Sequence, residues 1–195
     1  MYAYQWPEDS LSLAARIAYR QNLAYRFPTL YKKIVLQQIK QYHFPSSLVF
    51  GMIRQESFFK TRATSHAGAR GLMQLMPATA SSVARKIKQP LKSRKQLYDP
   101  SFNIKLGSTY LNDLLEKYQG HPVLAIASYN AGPNRVKRWL PKKSPDAADI
   151  WIETIPWRET REYVKYVITY ALIYDHLMGN NTDIDTYVKP IPAAK

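Results

Sequence analysis

Thirteen prolines punctuate this 195-residue chain, and between them the apolar residues fall at helical spacing. Strand-like alternation is absent over any useful length, so the sequence offers nothing for a sheet to build on. Candidate helices cover about 8–24, 29–41, 46–59, 77–86, 103–118, 122–129, 134–140 and 158–178. Between them, 60–77 reads as a glycine-bearing loop, 86–96 as a basic, mobile stretch and 141–150 as a polar loop. Gly179 closes the last helix, and the polar, proline-containing 180–195 reads as a loose tail. The expected fold class is all-α. With 46% hydrophobic residues the chain can bury a core of its own and is not a disordered tail.

Composition removes several kinds of chemistry. There is no cysteine, which excludes a disulfide framework, a thiolate nucleophile and a zinc–thiolate site. His43, His66, His121 and His176 lack metal-ligand spacing. No run of about 18 apolar residues is present, so a membrane-spanning helix is not expected. The opening MYAYQWPEDS lacks a basic region followed by an apolar one. The expectation is a cytoplasmic chain or a piece of something longer.

The charge of +14 is unevenly placed. From Ser10 to Tyr98 there are 16 lysines and arginines and one acid, Glu56. Advancing about 100° per residue along the third helix puts Leu48, Met52, Glu56, Val49 and Ile53 at roughly 0, 40, 80, 100 and 140°. Glu56 therefore sits inside the apolar stripe, in the last turn of its helix. Apolar surroundings disfavour the carboxylate and raise its pKa, and the negative helix terminus pushes the same way. A carboxyl kept protonated near neutral pH can serve as a general acid. A second reading of the same residues is a core glutamate paired with Arg54 or Arg70.

Four strings recur in order: RQES at 54–57, GARGLMQLMP at 68–77, ASYNAGP at 127–133 and ETIPWRETREY at 153–163. Together they resemble the catalytic domain of soluble lytic transglycosylases, peptidoglycan-cleaving enzymes with a goose-type lysozyme-like fold. The resemblance covers about 27–179 and implies a helical domain with an active-site groove. It makes Glu56 the single catalytic acid/base. It puts Ser65 near the reacting sugar, and Gln74 and Met76 in the groove beside the glutamate. Tyr129 and Asn130 match the aromatic and amide facing the carboxyl, Glu153 a groove carboxylate and Tyr163 a tyrosine of the closing segment. From residue type alone Ser65 could be a turn residue, Met73 and Met76 core filler, and Asn130 to Pro133 a helix stop. Gly71 reads as a backbone requirement.

Ordinary glycoside hydrolysis uses two carboxylates. The 42 residues after Glu56 contain neither Asp nor Glu. The resemblance implies another route, in which the C6 hydroxyl of the muramic sugar attacks its own C1 and a 1,6-anhydro end forms. That route needs no metal, cofactor or second acid. The partner it implies is the glycan strand of peptidoglycan; protein partners are not indicated. A goose-type hydrolase, a glycan-binding pseudoenzyme and, on a pI near 9.9, a nucleic-acid binder are the competing readings. No nucleic-acid motif is present, so none is expected as a partner. The substrate places the expected site of action in the periplasm or cell envelope. Residues 1–26 read as the end of a preceding helical region or a short extension.

Overall fold

The computed structural model describes residues 23–194. Most of the helix expected over 8–24 lies outside them; the first described helix is α1, Leu23–Arg26. The described residues form helices α2 (Lys32–Ile39), α3 (Ser46–Ser57), α4 (Pro77–Lys86), α5 (Pro100–Lys117), α6 (Pro122–Ala131), α7 (Pro133–Trp139), α8 (Ala148–Thr154) and α9 (Arg158–Leu177). Two short 3-10 helices, Arg94–Tyr98 and Ile184–Thr186, complete them. Among the described residues there are isolated bridges but no strand. No helix among them is long and apolar enough to cross a membrane. The all-α expectation holds.

Proline sets the start of α4, α5, α6 and α7 in each case, where its missing N–H costs nothing. Asp99 caps α5 by accepting the Phe102 N–H at 2.7 Å, so this helix begins at Pro100, one turn earlier than expected. Helix α6 is apolar on nearly all sides, with Val123 to Ala127 buried, and it forms the centre of the core. Helix α3 lies against α9. Gly51 permits that approach, since a Cβ there would come within 2.9 Å of the Val167 carbonyl and 3.0 Å of the Ala171 nitrogen.

The core has two parts. The larger gathers α3, α6 and α9; the smaller lies under α4 and comprises Leu75, Ala80, Val83, Ala84, Leu97 and Leu106. Tyr110 and Tyr129 pack against both, with ring centroids 5.2 Å apart.

One expectation holds only in part and another fails. The segment expected as the polar loop 141–150 runs into α8, whose Trp151 and Ile152 are buried. The Trp151 indole N–H donates to the Trp139 carbonyl at 2.9 Å, so tertiary burial overrides the polar local sequence. The tail is not loose. Tyr187 and Ile191 are buried, Asp146 and Ile191 exchange backbone hydrogen bonds, and Tyr187 donates to Asp175 Oδ2 at 3.1 Å. A few apolar residues in a polar segment suffice to anchor it where the domain leaves a socket.

Candidate active site

Glu56 occupies the last turn of α3. Immediately after it Phe58 (φ 52°) and Phe59 (φ 64°) take the left-handed conformation and swing the chain off the helix. Such backbone strain needs support. Phe59 supplies it by burying its ring, and Ser57 by donating to the Leu72 carbonyl at 2.8 Å. The helix end is thereby tied to the loop carrying GLMQ.

The Glu56 carboxyl accepts a hydrogen bond from the Tyr163 hydroxyl at 2.6 Å. Enclosure among protein atoms pushes its pKa up to about 8; the Tyr163 bond opposes this rise and the Glu159 charge adds to it. The arginine-pair reading fails. Arg54 stacks over Phe27, Tyr170 and Phe58, with its guanidinium carbon 4.3, 4.4 and 4.9 Å from the ring centroids. Arg70 donates to the Tyr98 hydroxyl. Among the described residues no cation pairs with Glu56. Tyr163 is buried, and burial together with the neighbouring glutamate holds its hydroxyl well above the usual tyrosine range. It therefore remains a donor. Tyr129 is held up for the same reasons.

The loop of 60–77 is fixed from beneath by Asn103, a fully buried side chain at the start of α5. Its Nδ2 donates to the Leu97 carbonyl at 2.8 Å and the Arg70 carbonyl at 3.0 Å, and its Oδ1 accepts the Met73 N–H at 2.8 Å. Gly71 crosses directly over this amide with φ of 78°. A Cβ there would lie 2.0 Å from the Leu97 carbonyl oxygen and 2.4 Å from Asn103 Nδ2. Gly71 is thus required both by its backbone conformation and by lack of space.

The structure brings several expected residues together. Gln74, Met76, Tyr129 and Asn130 line one pocket of about 200 Å³, along with Gly132 and Arg135. Gln74 (φ 43°) donates from Nε2 to the Gly71 carbonyl at 2.8 Å and the Ala63 carbonyl at 3.1 Å. Met76 is exposed at the start of α4, whereas Met73 is buried as core. Tyr129 lies close enough to Glu56 for the carboxylate to raise its pKa, while its hydroxyl donates to the Met73 carbonyl at 3.0 Å. Asn130 Oδ1 accepts from the buried Thr160 hydroxyl at 2.6 Å.

Ser65 and Glu153 do not line that pocket. Ser65 is exposed and closes a turn, its Oγ accepting the Ala69 N–H at 3.0 Å. Glu153 is exposed and paired with Lys165 and, at 3.8 Å, with Arg161. Its contact with Lys165 holds its carboxyl below the usual range. Among the described residues no group of three or more His, Cys, Asp or Glu side chains is arranged to hold a metal.

Sequence reasoning missed Ser57, Asn103 and Thr160. The sign that exposed Glu56 was available for Asn103 and Thr160 as well. Asn103 precedes Ile104, Gly107 and Leu111 on the inner face of α5, and Thr160 shares a face with Tyr163, Val164 and Val167. A polar residue inside an apolar stripe has a partner to satisfy.

An all-helical core that encloses the Glu56 carboxyl without a cation, next to a tyrosine that lines a pocket, is the architecture of a lysozyme-like helical domain. The chain belongs to the Transglycosylase SLT domain family, whose model matches residues 33–152. Residues 154–182 match the model of the soluble lytic transglycosylase helical domain. The hydrogen bond between Glu56 and Tyr163 therefore joins the two matched stretches.

The chain is similar to the soluble lytic murein transglycosylase of Escherichia coli K12, with 36% identity over 183 residues covering 92% of this chain and 28% of that protein. An inactive mutant of the lytic transglycosylase Slt from Pseudomonas aeruginosa, glutamate replaced by glutamine, superposes with a TM-score of 0.86 at 42% identity. The match covers 92% of this chain and 29% of that one. The 70 kDa soluble lytic transglycosylase of Escherichia coli gives a TM-score of 0.85 at 30% identity, over 94% of this chain and 30% of that one. The chain thus spans less than a third of the length of these relatives.

Proposed function

We propose that this chain cleaves the glycan strands of peptidoglycan as a lytic transglycosylase, with Glu56 as its single general acid/base. The observation that carries the reading is the state of Glu56. Among the described residues it has no cationic partner, its pKa is raised by enclosure to about 8, and it lies near Tyr129, which lines a pocket, in a domain of this family. A protonated carboxyl at neutral pH gives its proton to the glycosidic oxygen between N-acetylmuramic acid and N-acetylglucosamine. The 2-acetamido group of the muramic sugar stabilises the positive anomeric carbon. The ionised Glu56, now hydrogen-bonded by Tyr163, takes the C6 hydroxyl proton as that oxygen bonds to C1. One C–O bond breaks, one forms, and no water is consumed.

Gln74, Met76, Tyr129 and Asn130 contact the sugars in this reading, and the cell envelope is where the substrate lies. The inactive glutamate-to-glutamine mutant of the Pseudomonas relative is consistent with an essential carboxyl. Mass spectrometry of digested sacculi tests the chemistry. Anhydromuramoyl ends support it, reducing muramic ends replace it with hydrolysis, and full activity of Glu56→Gln removes Glu56 from the role.

A further inference from the structure

The pocket lined by Gln74, Tyr129 and Asn130 contains one charged side chain. Among the residues that line it, Arg135 alone is ionised; the others are apolar, hydroxyl or amide groups. No carboxylate among the described residues pairs with Arg135. Its guanidinium is nevertheless held in place. Nη1 donates to the Ala131 carbonyl at 2.9 Å, and the guanidinium carbon lies 4.4 Å from the centroid of the Trp157 ring. Trp157 is 45% exposed and is braced edge-on by Trp139, ring centroids 5.8 Å apart.

A guanidinium carries five N–H donors in a planar fork, and Arg135 spends one of them on the protein. Stacking on an indole ring fixes the plane of the fork without using the rest. An arginine preordered in this way, in a pocket and without a carboxylate of its own, is suited to accept one from a ligand in bidentate fashion. The adjoining indole, 45% exposed, adds apolar surface for the sugar that carries it.

We propose that Arg135, seated on Trp157, is a carboxylate-recognition site that selects glycan strands bearing an acid group. The proposal takes its ligand from the glycan-cleaving reading above. Two sources supply the group: the stem peptides, and the lactyl acid freed when those peptides are removed. The site is a specificity element, not part of the acid/base machinery.

Binding is measured directly, in the Glu56→Gln background, with and without Arg135→Gln. Three probes are used: sacculi carrying peptide stems, soluble strands stripped of peptide by an amidase, and stripped strands whose carboxyls are converted to neutral amides. The expected result is a loss of about tenfold in affinity, the size of one charge-assisted contact, on an acid-bearing probe and none on the amidated strands. A loss on sacculi alone assigns the stem peptide; a loss on stripped strands alone assigns the lactyl group. Equal affinities on every probe overturn the proposal. So does an equal loss on all three, which makes Arg135 a structural support. Anhydro-product formation by the unsubstituted chain is scored separately, so failure of the reaction and failure of this site give different results.

Discussion

The Tyr163 hydroxyl lies 2.6 Å from Glu56 Oε1 and donates to it, across 107 residues of sequence and between helices α9 and α3. Two opposed influences meet at that bond. Enclosure favours the neutral carboxyl, which in the proposed reaction gives a proton, while the tyrosine favours the carboxylate, which in that reaction takes one back. A group that alternates between acid and base needs both states within reach of working pH.

The raised pKa makes stability depend on pH with a definite sign. Below the ordinary carboxyl value near 4.5, Glu56 is neutral whether the chain is folded or not. As pH rises from there to about 8, the unfolded chain has released a proton that the folded one still holds, so unfolding becomes easier. Glu56→Gln removes this cost. The variant is expected to match the parent in melting temperature near pH 4.5 and to exceed it by several degrees above pH 8. A difference that stays constant across that range would contradict an elevated Glu56 pKa.

Tyr163→Phe keeps the ring and removes the donor. With the bond gone, the influence that lowers the Glu56 pKa is lost, so the pKa moves further up. The basic limb of kcat against pH should shift to higher pH. The maximal rate should fall by about 10- to 100-fold, the worth of a hydrogen bond to a charged group. An unshifted limb would show that the bond does not govern Glu56 in the working enzyme.

Glu56 was legible because a charge inside an apolar helical stripe violates a pattern that runs along one helix. Its partners were not. The Tyr163 bond and the Asn103 bonds to Leu97, Arg70 and Met73 join residues distant in sequence, and only the packed chain brings them together. Helix boundaries set by proline were read to within a turn, because proline acts locally. Helix α8 and the anchored tail escaped, because a handful of residues such as Trp151 and Tyr187 derive their order from sockets elsewhere. The resemblance implied groove positions for Gln74, Tyr129 and Asn130, and these three line one pocket. It could not anticipate that Glu153 is exposed and occupied by Lys165.

Gly71 and Gly68 provide a matched comparison within one loop. Both have left-handed φ, 78° and 89°, but a Cβ on Gly68 meets nothing within 4 Å, whereas one on Gly71 overlaps the Leu97 carbonyl and Asn103. Gly68→Ala should cost about 1–2 kcal/mol, the backbone penalty alone. Gly71→Ala should cost clearly more and should also depress activity, since the loop carrying Gln74 and Met76 must shift. Equal losses of stability in chemical denaturation would mean the loop yields freely at Gly71.

Removal of residues 183–195 tests the anchored tail. Tyr187 and Ile191 are buried in the intact chain, and the Tyr187 hydroxyl engages Asp175 at 3.1 Å and Ser47 at 3.3 Å, both buried. His121, also buried, contacts the Lys189 and Pro190 carbonyls at 3.1 and 3.2 Å through Nε2. Truncation exposes apolar core and strips partners from three buried polar side chains. Losing two large buried side chains alone costs upwards of about 4 kcal/mol by the usual scale of large-to-alanine substitutions. For a chain of this size that lowers the melting temperature by about 8–16 °C. The effect should appear in thermal unfolding before any change at Glu56, which lies at the opposite end of α3 from Ser47. A truncated chain that melts with the parent would mean the tail contributes only surface.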